Sequence, residues 1–280
     1  MKIIEPKVEL LSEIGISPES HIARCSRICY GCEDKEPNQE ADEKMVDGLI
    51  KRGHLSMLRH SSAYFVFTNH LPEEFKSEYV NTLSQEDYIY ASTNGQFTLE
   101  HNNKADLNSH VFLNLCRKYP ELFELYRLTF CITTQISTSR ELNRKSPNAI
   151  AERSTRYCSS KDGLLICRPW WISSAKQAAF NSHSPINELW YYNNAISKVE
   201  EAYLTLLGQG MKPDDARGIL PLDTATKVIY TYSIREWQHI LDLRLYDKTG
   251  KAHPNCHVIM QMVKDQINNF AKEHNIDYQV

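Results

Sequence analysis

Apolar residues in this chain fall into alternating runs and helical stripes, and the two periods predict most of its elements. Residues 2–10 alternate as a first strand. Pro18-Glu19-Ser20 then opens a helix to Tyr30, with Ile22, Cys25, Ile28 and Cys29 along one stripe. The acidic stretch Glu33 to Glu43 is a loop. Met45, Leu49 and Ile50 define a second helix near Asp42 to Arg52, stopped by Gly53. The polar turn G-H-L-S-M-L-R-H feeds a strand from Ser62 to Thr68. Its two histidines and its hydroxyls read equally as a pocket rim or as backbone caps.

Residues 71–85 read as a polar helix or loop, and Asp87 to Glu100 as a hairpin tipped by Asn94-Gly95. An amphipathic helix spans His110 to Leu125, and a β-branched strand runs from Leu128 to Thr138. Leu164 to Trp171 reads as a strand end. A long helix from Pro185 to Gly208 buries Leu189, Tyr192, Ile196, Val199, Tyr203 and Leu207. A helix-to-strand junction carries Arg217, and Thr224 to Ser233 is a second β-branched strand. The helix after it ends at Arg244, where a cation also suits the helix dipole, and Arg235 on it suits a surface contact. A loop over Lys248 to Pro254 precedes a last helix, His257 to His274. No repeat or linker interrupts the pattern. The expected architecture is therefore α+β: a single domain over residues 1–280, a mostly antiparallel sheet flanked by helices.

Composition adds limits. The 280 residues are 41% hydrophobic and 24% charged, ordinary for a globular enzyme. A net charge of −3 supplies no broad basic field for nucleic acid, so any anion site is local. No apolar run approaches the roughly 20 residues of a membrane span. The first residues, M-K-I-I-E-P-K-V-E-L, lack the long apolar centre of a secretory signal. A cytoplasmic protein without membrane or nucleic-acid partners is expected.

The densest chemistry lies between Ser139 and Cys158, where Arg140, Arg144, Lys145, Arg153 and Arg156 surround Glu141 and Glu152. Ser139, Ser146, Asn148, Ser154 and Thr155 are interleaved with them. Forked guanidinium donors beside hydroxyls match phosphate oxygens, although a solvated charged turn has the same residue types. Cys25, Cys29 and Cys32 have the C-x3-C-x2-C spacing of an iron–sulfur site. Their position on an apolar helical stripe instead suits small core residues of a reducing compartment. No metal site is expected.

Together these blocks resemble the flavin-dependent thymidylate synthases. That family has an Arg-His-Arg triplet, seven residues, then a serine in a Glu-Ser-Thr-Arg-Tyr-like end. Here Arg144, Lys145 and Ser146 occupy the triplet, seven residues follow, and Ser154-Thr155-Arg156-Tyr157 keeps register. G-H-L-S-M-L-R-H, A-R-G-I-L-P-L, Leu243-Arg244 and A-H-P over 252–254 follow the family's order. Residues 70–125 resemble it least, as a divergent hairpin region.

The resemblance implies a homotetramer with active sites shared between subunits. It implies methylation of deoxyuridylate (dUMP) to thymidylate with methylenetetrahydrofolate and NADPH, FAD carrying the hydride. By position, Glu141, Glu152, Ser154, Thr155, Arg156, Arg217 and Arg244 would hold the nucleotide, with Ser154 and Arg244 in the catalytic roles. FAD would fall to His54, Ser56, Arg59, Arg144, Lys145, Ser146, Ser233, Arg235 and His239. Several of these depart from the family: Lys145 and Ser146 replace His and Arg of the triplet, and Arg59 and Arg153 replace glutamates. Ser233 and His239 stand where the family has asparagines. Either the cations are relocated around the same flavin, or the chain is a divergent relative with weakened FAD binding that acts on or binds another pyrimidine nucleotide.

Overall fold

Nine consecutive buried residues, Arg127–Gln135, form the strand on which the other layers rest. The computed structural model describes residues 1–32, 38–156, 160–173 and 188–280. Its strands are β1 (Lys2–Ile4), β2 (Lys7–Leu10), β3 (Ala63–Thr68), β4 (Asn81–Gln85), β5 (Tyr88–Thr93), β6 (Arg127–Gln135), β7 (Ile150–Glu152), β8 (Leu165–Cys167) and β9 (Ala225–Ser233). The helices are α1 (Pro18–Cys29), α2 (Gln39–Lys51), α3 (Gly95–Glu100), α4 (Ser109–Lys118), α5 (Ile136–Leu142), α6 (Glu188–Gly208), α7 (Pro213–Ala216), α8 (Ile234–Arg244) and α9 (Pro254–Glu273).

The central sheet is antiparallel, in the order β2-β6-β9-β7, and β6 pairs with β9 along its whole length from Arg127↔Ser233 to Gln135↔Ala225. Alternation then sorts the side chains to two faces. Leu128, Phe130 and Ile132 join Val228, Tyr230 and Tyr232 against Trp237 and Ile240 of α8 and Ile259, Met260 and Val263 of α9. The Trp237 indole donates to the Leu128 carbonyl at 3.1 Å, which satisfies its one polar atom in this core. On the opposite face, Cys131, Ile229 and Ala151 pack with Leu11 and with Cys25 and Ile28 of α1. Thr129 and Thr231, paired across the strands, form a polar strip on that same face. A second sheet, β3-β5-β4, and a parallel pair, β1-β8, flank the centre.

The α+β expectation holds, and several elements need correction. Residues 2–10 are two strands in two sheets: β1 runs parallel to β8, and β2 pairs with β6. Pro6 separates them, because proline offers no amide to a ladder. Residues 81–85 form the strand β4, where a helix or loop is predicted. The hairpin turns at Glu86, with φ 54°, so its strands are β4 and β5. Asn94-Gly95 instead begins a helix: the Asn94 side chain accepts from the Gln96 and Phe97 amides. Glycine is required there, since a Cβ on Gly95 would lie 2.3 Å from Ser61 Oγ. The helix predicted to Leu125 ends at Lys118, and Pro120 opens a 3-10 turn. The strand predicted to Thr138 stops at Gln135 and passes directly into α5. The last helix starts three residues early, with Pro254 in its first turn. The first residues of the predicted 185–208 helix, part of the 33–43 loop, and Tyr157 and Cys158 lie outside the described residues.

Cys25 is fully buried in the apolar cluster beneath α1, and burial pushes its thiol far above the ordinary range, the reverse of a metal-ligating thiolate. Cys32 Sγ donates to the Tyr30 carbonyl at 3.6 Å. Among the described residues no group of three His, Cys, Asp or Glu side chains is placed to hold a metal ion. Cys25→Ala should therefore lower the unfolding free energy by about 1–2 kcal/mol through the cavity left behind. Urea denaturation measures it; a loss near zero would mean that the thiol fills no space in the core.

Candidate functional site

The loop after β7 meets the short helix α7 at one end of the sheet, and there the signature cations converge. Arg156 Nε lies 3.2 Å and Arg217 Nη2 3.0 Å from the same carboxylate oxygen, Oδ1 of Asp214. Arg217 also donates from Nε to the Asp214 carbonyl at 3.1 Å and from Nη1 to Thr155 Oγ1 at 3.4 Å. Ser154 Oγ accepts from the Arg156 amide at 3.2 Å, an ST-type turn that sets the loop. Its own amide donates to the Cys29 carbonyl at 3.1 Å and ties the loop to the end of α1. Beside them opens a cleft of about 240 Å³, lined by Arg153, Ser154, Thr155, Thr224 and Thr226 among others. Guanidinium groups and hydroxyls are the donor types that match oxyanion oxygens.

Glu152, the last residue of β7, accepts from Ser139 Oγ at 3.0 Å. The Tyr230 hydroxyl lies 2.9 Å from Asn143 Oδ1 and 3.2 Å from the Ser139 carbonyl, its one proton shared between them, so β9 is fastened to α5 and the residue that follows it. Burial, and then the Glu152 charge, raises the Tyr230 hydroxyl well above the phenol range. Arg244 stands apart from the Arg156–Arg217 pair: its Nε donates to the Glu141 carbonyl at 2.8 Å and its Nη1 to Leu243 O at 3.0 Å. The Glu141 carboxylate accepts from Cys256 Sγ at 3.5 Å. Burial, followed by that carboxylate, pushes the Cys256 thiol up to about 12. Within one chain, Glu141, Arg244 and Cys256 thus form a second group, built from α5, α8 and α9.

Two of the residues assigned to FAD, Lys145 and Ser233, meet at a third centre, the buried carboxylate of Glu236. Lys145 Nζ lies 3.4 Å from Glu236 Oε1, and Arg127 Nη1 3.7 Å from Oε2. Ser233 is the N-cap of α8 in a reciprocal capping box with Glu236, so its hydroxyl is committed to the helix. Arg127 Nη2 donates to the Arg59 carbonyl at 3.1 Å, while Arg59 donates to Gln96 Oε1 at 2.7 Å and to Asn148 O at 2.9 Å. The segments 54–60, 144–149 and 233–239 are thereby linked. Arg235 turns away: it binds Glu124 Oε2 at 3.0 Å and the Thr82 carbonyl at 2.9 Å, a structural role. His54, Ser56, Arg144, Ser146 and His239 are exposed and do not line the recess at Glu236, and Ser146 precedes a cis proline. The recess here holds only about 10 Å³, room for one water at most.

Sequence reasoning passed over Asp214, Arg127, Glu236, Tyr230 and Cys256. Asp214 carried a signal, since D-D-A-R places an acid three residues before Arg217 on one helical turn. Arg127 and Glu236 carried none, because their pairing depends on the β6–β9 register.

The frame is antiparallel α+β, with a sheet-end cleft lined by Arg153 and several hydroxyls and the Arg156–Arg217 pair close by in the chain. The family model of the thymidylate synthase complementing protein matches residues 78–271. The chain is a member of that family, the flavin-dependent thymidylate synthases. It is 38% identical over 174 residues to a flavin-dependent thymidylate synthase of Halobacterium salinarum, covering 56% of this chain and 68% of that protein. It is 27% identical over 158 residues to the one of Synechocystis, covering 54% and 73% respectively. Among solved structures, the UMP/dUMP methylase PolB from Streptomyces cacaoi, bound with 5-Br dUMP, is 15% identical. That likeness covers 97% of this chain and 93% of the other with a TM-score of 0.44. No helix among the described residues is long and apolar enough to cross a membrane.

Proposed function

We propose that this chain methylates dUMP to thymidylate, taking the carbon from methylenetetrahydrofolate and reducing equivalents from NADPH through FAD. The observation that carries the reading is the placement of Arg156 and Arg217 on one carboxylate oxygen, with the Thr155 hydroxyl against Arg217, an arrangement that suits a phosphate oxygen. The 5′-phosphate would take that position, with the sugar along the hydroxyl-lined cleft toward Glu152. Arg244, held by the Glu141 carbonyl, would stabilise negative charge that develops on the pyrimidine, either in this chain's site or in a partner copy's. The homotetramer implied by the family would supply the closed surface that one chain lacks at the 10 Å³ recess.

Arg59, Arg144 and Lys145 suit a dinucleotide pyrophosphate, and His54, Ser56, Ser146 and His239 suit its rings and ribose, so the donor set fits FAD lying over an open face. FAD, when bound, supplies the hydride chemistry that no side chain here can perform. The chain's own residues bind, orient and exclude water.

A second reading has its own observation. Lys145 and Ser233 are already engaged by Glu236, as they would be in a relative that keeps the nucleotide half and holds flavin weakly. One preparation separates the two. A flavin enzyme purifies yellow, releases FAD on denaturation, and is stabilised against heat by dUMP. A colourless protein that dUMP still stabilises would overturn the methylation reading and leave a nucleotide binder.

A further inference from the structure

The proposed phosphate site is not waiting empty of charge: the Asp214 carboxylate already sits between its two arginines. We infer that Asp214 is an internal competitor, a carboxylate that occupies the oxyanion position until a phosphate displaces it, and so sets the affinity and charge selectivity of the site. This rests on the reading of Thr155, Arg156 and Arg217 as the phosphate ligands.

Three observations carry it. First, the contact is double: Oδ1 forms ion pairs with Arg156 Nε at 3.2 Å and Arg217 Nη2 at 3.0 Å, a bridging position that one phosphate oxygen could take. Second, the three side chains remain 54%, 40% and 39% exposed for Arg156, Asp214 and Arg217, so the ion pairs are solvated and exchangeable. Third, Asp214 lies in the first turn of a four-residue helix, α7, with Lys212 as a cap that makes no side-chain hydrogen bond. A carboxylate on so short an element can leave the arginines by a rotamer change.

The charge count gives the selectivity. Asp214 sets one negative charge against the two guanidinium groups it faces. A phosphate monoester dianion that takes both arginines gains two ion pairs and meets repulsion from Asp214 if the carboxylate stays, so binding and release of Asp214 are coupled. A ligand carrying a single negative charge offers no more than the carboxylate it must displace. Asp214 thus discriminates against singly charged anions.

Asp214→Asn tests this through the sign of its effect. Removing the competitor should tighten dUMP and inorganic phosphate about five- to tenfold by calorimetry, the combined scale of two exposed ion pairs. Deoxyuridine, which has no phosphate, should bind equally to both proteins. If Asp214 instead holds the arginines in place for the ligand, Asp214→Asn and Asp214→Ser will weaken dUMP, and the inference is wrong. Unchanged affinity in both variants also refutes it. Arg217→Ala keeps the two ideas apart: if it leaves dUMP binding intact, the phosphate site itself is misplaced. If it abolishes binding while Asp214→Asn fails to tighten it, only the role given to Asp214 falls.

Discussion

Between pH 6.5 and about 4 the protein is expected to lose about 1.4 kcal/mol of stability per pH unit for each of two buried histidines. His21 Nε2 lies 2.9 Å from Thr129 Oγ1, His60 Nδ1 lies 2.8 Å from Thr231 Oγ1, and the two threonine hydroxyls are 2.8 Å apart. This chain of four side chains crosses the central sheet beneath α1. Burial, then the Arg24 charge, lowers His21 from 6.5 to about 4; Glu13 opposes it weakly. Burial, then His21, Arg127 and Arg59, lowers His60 to about 3. Both are therefore neutral in the fold at pH 7 and protonate readily only once unfolded. The unfolded chain binds more protons below pH 6.5, so stability falls with pH there, and the loss levels off near pH 4 for His21 and pH 3 for His60. Urea denaturation at pH 7, 6, 5 and 4.5 gives the slope. His60→Gln, which keeps a hydrogen-bonding partner for Thr231, should remove one histidine's share of it. An unchanged slope in that variant would assign the acid sensitivity to carboxylates instead.

Arg156→Ala and Arg217→Ala are each expected to weaken dUMP about ten- to hundredfold, the value of a charge-assisted contact of roughly 1.5–3 kcal/mol. The rise in Tm that dUMP produces should vanish at ligand concentrations that saturate the parent protein. Arg217 makes contacts to Thr155, the Asp214 carboxylate and the Asp214 carbonyl, so its loss also loosens the loop. It should therefore show the larger effect. Full protection of both variants would move the phosphate away from this end of the sheet.

The apolar pattern was enough to predict the α+β frame, because β6, β9 and the helices α1, α6 and α9 each bury a clear stripe or run. It failed where local chemistry decides: Asn94-Gly95 suits a hairpin tip equally well, and only the packing of Gly95 on Ser61 selects a helix start. For the candidate site, residue types in the 139–158 stretch suit a phosphate-binding cluster and a solvated charged turn equally, and only the fold brings Arg156 and Arg217 to one carboxylate and Thr155 to Arg217. Arg244 could not be placed by that reasoning, since its contact with Glu141 depends on how α8 docks on α5. Nor could the competing carboxylate of Asp214 be weighed, because surface acids near arginines are common and most are solvated.

The pairing of β6 with β9 joins segments roughly a hundred residues apart, Arg127–Gln135 with Ala225–Ser233. Closing so long a loop delays the reward of contact formation, and chains dominated by such pairings fold slowly. During synthesis β6 must wait, unpaired on the β9 side, until the ribosome has delivered the last third of the chain. Its run of Leu128, Phe130, Cys131 and Ile132 is then an adhesive edge. Expression at low temperature or with chaperones in excess should accordingly raise the yield of native protein more than stabilising any surface helix would.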